Sequence, residues 1–124
     1  MSSERLARWS LMVDATYCAG VSLIVVLLGR ALAALLHLAP ELLMDAAAAT
    51  FIWGYLLFLF SRYSHWQRAT RLVASINTVA AIGVLSLAVL STGTLARLLL
   101  VAISIEVAAF AAVQFATVRR PHHG

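Results

Sequence analysis

Four long, predominantly apolar stretches, at about residues 9–29, 43–61, 72–91 and 97–118, constrain this chain more than any other feature. Each is close to the 20 or so residues an α-helix needs to cross a hydrocarbon core roughly 30 Å thick. Because lipid cannot hydrogen-bond a backbone, a spanning segment must be a helix or part of a closed barrel. Barrel strands are about half this length and alternate polar with apolar residues, so the pattern predicts helices. Composition agrees: 63% of the 124 residues are hydrophobic and only 11% are charged, with a mean hydropathy of +0.95. A soluble domain is about half apolar, so this chain needs lipid as part of its solvent.

The links between the stretches are short, which predicts that sequential helices run in opposite directions. The expected fold is therefore all-α: one domain, residues 1–124, forming an antiparallel bundle of four transmembrane helices. In the first link, RALAALLHLAPE, Pro40 suits the first turn of the second helix, and the leucine-rich part before it suits a short turn lying on the membrane surface. The second link, SRYSHWQRATR, mixes arginine with amphipathic aromatics, as headgroup boundaries do. The third link turns at Gly93, with Thr94 as the expected cap of the fourth helix.

The basic residues are nine arginines and no lysine. Seven (Arg5, Arg8, Arg62, Arg68, Arg71, Arg119 and Arg120) fall on one side of the expected bundle, against Arg30 and Arg97 on the other. By the positive-inside rule both termini are expected in the cytoplasm, with the chain multi-pass in a bacterial inner membrane. The N-terminal MSSERLARWS resembles the start of a signal peptide, but the apolar run continues to Gly29 without a small-x-small cleavage site, so a retained helix is expected.

Most soluble activities lose their support at this point. Nothing resembles a basic stripe, a zinc spacing or an RNA-binding signature, so nucleic acid is not an expected partner. Cys18 is the single cysteine, which excludes an internal disulfide and a Cys-x-x-Cys motif. No HExxH, GxSxG or glycine-rich phosphate loop is present, and the four histidines fall in links or the tail. No cofactor and no metal are expected; the His122-His123 pair lacks the further ligands a metal demands. The chain does not read as an enzyme.

Ionisable residues inside a span cost about 2.5–3.5 kcal/mol at the helix centre, and they normally face the protein interior or water. Away from the span ends two acids qualify, Asp14 and Glu106. Asp14 lies six residues beyond Arg8, hence ~9 Å inside the boundary at a rise of ~1.5 Å per residue. Asn77, six residues beyond Arg71, reaches the same depth; Gln114, five before Arg119, reaches ~8 Å, and Tyr55, seven before Arg62, reaches ~10 Å. An interhelical hydrogen-bonded layer of Asp14, Tyr55, Asn77 and Gln114 is therefore expected, with Tyr17 and Cys18 on the same face as Asp14. The competing expectation pairs Asp14 with a snorkelling Arg68 or Arg71.

Glu106 stands nine residues from Arg97 and thirteen from Arg119, near the midplane, where Ser22, Thr50 and Ser86 are its expected lateral partners. The Ala108, Ala112, Ala116 stripe predicts close helix packing. Trp9, Trp53 and Trp66 are expected in packing and interfacial anchoring.

One order of residues spans nearly the whole chain: Arg8, Asp14-Ala15 and Gly20 in the first helix, Leu38 and Pro40 before the second, Asn77 in the third, Thr94 before the fourth, and Ala108 to Gln114 followed by Arg119-Arg120. It resembles a group of small four-helix bacterial integral membrane proteins. The resemblance implies fold and topology, and no activity. It departs at Leu38-Ala39-Pro40, where a Leu-Gly-x-Pro turn is expected, and after Asn77, where a tryptophan is. Three functions stay open: a structural or accessory subunit, alone as a homo-oligomer or within a larger membrane complex; a small proton-coupled transporter or channel using Asp14 or Glu106; and a lipid- or hydrophobic-ligand-binding module built on FIWGYLLFLF.

Overall fold

The computed structural model describes residues 2–90 and 93–119. Among these, four helices account for nearly everything: α1 (Ser3–Leu36), α2 (Pro40–Ser61), α3 (Trp66–Leu90) and α4 (Thr94–Arg119). Each is long and apolar enough to cross a membrane, so the chain has the make-up of a multi-pass membrane protein.

The local chemistry explains the helix ends. Ser2 caps α1, its hydroxyl accepting from the Arg5 N–H at 3.2 Å, and Glu4 in the first turn suits the positive end of the helix dipole. Pro40 occupies the first turn of α2, and Ala39 before it is extended (φ −66°, ψ 133°), as a pre-proline residue prefers. Thr94 is already the first residue of α4; the Gly93 carbonyl accepts the Arg97 N–H at 3.0 Å, so the turn is made one residue earlier than expected.

The first link is largely helical: α1 is kinked at Leu28 (φ −112°, ψ 16°), next to Gly29, and a short helical segment runs on from the kink to Leu36. Leucine and alanine are strong helix formers, so RALAALL extends the helix. It stops where His37 enters the left-handed region (φ 56°) and the Leu38 N–H bonds back to the Ala33 carbonyl at 2.9 Å.

The packing is uneven. α1 lies closely on α2, and α3 on α4; α1 joins the two pairs mainly through α4, while α2 meets α3 lightly and α4 not at all. Only 17–28% of the most apolar stretch of each helix is buried within the chain. Large aliphatics point outward, Leu27, Val79 and Leu90 each being at least 70% exposed, whereas buried positions are mostly alanine, serine, threonine and glycine-sized. That inversion is expected when lipid is as apolar as leucine and helices associate by close backbone approach and hydrogen bonds. The few larger buried side chains, Leu11, Leu57 and Val73, gather with Ala15 and Cys18, flanked by Trp53, Phe58 and Phe60.

Gly54 makes the α1–α2 contact. A Cβ there would stand 3.0 Å from the Cys18 Cβ and 3.3 Å from the Ala15 carbonyl oxygen. Only glycine lets the two backbones approach this closely.

Candidate functional site

Asp14 sits on the inner face of α1 and is 4% exposed. One of its oxygens, Oδ2, accepts from Asn77 Nδ2 of α3 at 2.9 Å and from Gln114 Nε2 of α4 at 3.2 Å. The triangle is closed by Asn77 Nδ2 donating to Gln114 Oε1 at 3.0 Å. Cys18, one turn further along α1, places its thiol 3.8 Å from Asp14 Oδ1. Asn77 is 4% exposed and Gln114 fully buried, so the node excludes solvent. Three helices that are far apart in sequence thus share one carboxylate, and amide donors supply the hydrogen bonds that water would otherwise give.

Arg68 and Arg71 are exposed and do not reach this carboxylate. Arg8 turns the other way: its Nε and Nη2 hold Glu4, and its Nη1 donates to the Ser61 carbonyl at the end of α2 at 2.7 Å. A guanidinium on a helix's last carbonyls complements the negative end of its dipole.

Tyr55 is not part of the node. It is 60% exposed, on the outward side of α2, because its neighbour Gly54 takes the position facing α1. One residue of rotation, about 100°, separates it from Gly54 and carries the phenol out of the bundle. Tyr17 is half-buried and turns toward α4, its ring 5.7 Å from that of Phe110.

Glu106 also departs from its expected surroundings. Ser22, Thr50 and Ser86 each bond back to their own helices, through the carbonyls of Cys18, Ala46 and Ile82. Glu106 instead lies exposed at the edge of α4, where it shares a lateral cleft of about 490 Å³ with Trp9, Tyr17, Phe110 and Val113. Tyr17 and Glu106 face this cleft from opposite helices.

No family model, curated protein or solved structure matches this chain. Among the described residues no group of three histidine, cysteine or acidic side chains converges as a metal site would require, and His122 and His123 lie outside them.

Other interior polar groups carry packing that the sequence did not single out. Ser104 of α4 donates to the Ala81 carbonyl of α3 at 2.8 Å, and Thr117 donates to the Gln114 carbonyl at 2.7 Å. Thr70 is fully buried and its hydroxyl has no partner among the described residues. The Ala108, Ala112, Ala116 stripe faces outward, and the buried line of α4 runs through Ser104, Ala111, Gln114 and Thr117 instead. Ala108 and Ala112 line a shallow groove against Thr78 and Leu85 of α3. Trp66 is buried and Trp53 packs on the core, but Trp9 is 58% exposed.

Proposed function

We propose that this chain is a small structural or accessory membrane protein, a subunit of an oligomer or of a larger membrane complex, with Asp14 as its internal fastening. The observation that carries this reading is the closure of the Asp14, Asn77 and Gln114 node. Two amides from neighbouring helices donate to Asp14 Oδ2 and the Cys18 thiol lies 3.8 Å from Oδ1, and a buried carboxylate tied to its neighbours in this way is poorly placed to carry a proton or an ion in transit. Most of each apolar helix is left uncovered, which is surface for lipid and for partner helices.

In this reading the helices run up and down in turn. Arg8 bonded at the end of α2 and Ser104 bonded to Ala81 support that order. The seven-to-two arginine bias supports cytoplasmic termini and a bacterial inner membrane, in keeping with the small four-helix proteins that the sequence resembles.

Purification from native membranes in mild detergent, paired with proton flux in reconstituted liposomes, tests the proposal. Expected are a stable assembly larger than the lone chain, and wild type and Asp14→Asn that do not differ in flux. A lone monomer, or a flux that Asp14→Asn abolishes, would contradict it.

A further inference from the structure

The α1–α4 cleft has the chemistry of a site for an organic cation, independent of whether the chain is an accessory subunit. Its floor and walls are Trp9, Val13 and Tyr17 on α1, four residues apart and so on one face, with Glu106, Phe110 and Val113 facing them from α4. Three aromatic rings therefore line the same cleft as one carboxylate, which stands near the middle of α4.

We propose that this cleft binds a lipophilic, charge-delocalised organic cation, with Glu106 as counter-ion and Trp9, Tyr17 and Phe110 as its aromatic contacts. Glu106 is exposed near the middle of an apolar helix, and if that helix spans a membrane its carboxylate needs a compensating charge or proton. Among the described residues no arginine forms an ion pair with it: the one nearest along α4, Arg97, is nine residues or about 13 Å away. A second copy of the chain would bring the same distribution of charge.

The class of cation follows from the donors. A compact metal ion takes six or more oxygen ligands, and this cleft offers one carboxylate, one phenol and the Ser10 hydroxyl, which already donates to the Ala7 carbonyl. An organic cation with its charge spread over an apolar body is cheaper to desolvate. It is held by ring faces within about 6 Å and needs only one opposite charge. The volume of about 490 Å³ suits a body of drug size.

The test uses the full chain in detergent micelles with tetraphenylphosphonium as probe, and neutral triphenylphosphine oxide as a control of similar shape. Saturable binding of one cation per chain is expected, weakened more than tenfold by Glu106→Gln, several-fold by Tyr17→Leu, and unchanged by Glu41→Gln. Wild type alone should prefer the cation over the neutral probe by more than tenfold, a comparison that stands even if a variant does not fold. Equal affinity for the two probes, no saturable binding, or full retention in Glu106→Gln would each overturn the proposal. A change of oligomeric state on Glu106→Gln, with no cation bound by wild type, would assign the cleft to a second copy and overturn it as well.

Discussion

Asn77 donates to the Asp14 carboxylate at 2.9 Å across 63 residues of sequence, and with the same nitrogen it reaches Gln114. One amide thereby ties α3 to both α1 and α4. Asp14 is the common acceptor, since Gln114 Nε2 also donates to it. Removing the acceptor leaves two amides to find partners in a water-free interior.

Asp14→Ala is therefore expected to destabilise the fold by about 1–3 kcal/mol, the usual cost of stranding buried donors. The loss is held down because Asn77 and Gln114 still bond each other. Asn77→Ala and Gln114→Ala should each cost something similar, and the double variant with Asp14→Ala less than the sum. Equilibrium unfolding in mixed micelles measures this; strict additivity would show that the three side chains do not act as one unit.

Gly54 and Gly83 form a contrasting pair. A Cβ at Gly54 meets the Ala15 backbone oxygen, which cannot move aside, whereas a Cβ at Gly83 meets nothing within 4 Å. Gly54→Val should cost about 1–3 kcal/mol through forced separation of α1 and α2. Gly83→Ala should be neutral or stabilise by up to ~1 kcal/mol, from helix propensity alone. Thermal unfolding in detergent distinguishes them, and equal effects would contradict the close contact at Gly54.

Thr70→Val should raise stability by about 1 kcal/mol. The valine keeps the shape and removes a fully buried hydroxyl that has no partner among the described residues. A drop in stability would mean that the hydroxyl is bonded in the working protein.

Tyr55→Leu is expected to change stability by no more than ~0.5 kcal/mol, because the side chain is 60% exposed on the outer face of α2. A loss comparable with that of Asp14→Ala would return Tyr55 to the polar layer.

The shared level of three polar side chains was legible in the sequence and rotation was not. Counting residues from the bounding arginines put Asp14, Asn77 and Gln114 at one level, and they meet there. The same count put Tyr55 at that level, yet it faces away, since a single residue turns a helix by about 100°. Ala108, Ala112 and Ala116 are exposed within this chain: their spacing marks one face of α4, and nothing in the spacing says which neighbour that face meets. Apolar periodicity cannot supply the rotation in a membrane helix, where the lipid side is as apolar as the packed side. Small residues carried the missing signal: Gly54, alone within the aromatic run FIWGYLLFLF, marks the side of α2 that lies on α1.

Cys18 makes the closed state of the node directly measurable, because the chain's single thiol is 7% exposed and stands 3.8 Å from Asp14. In sealed proteoliposomes, a charged methanethiosulfonate reagent applied from either side should leave Cys18 unmodified on the timescale in which the denatured chain reacts fully. Rapid labelling of the folded protein from either side would show that water reaches Asp14, and would contradict its role as a closed structural fastening.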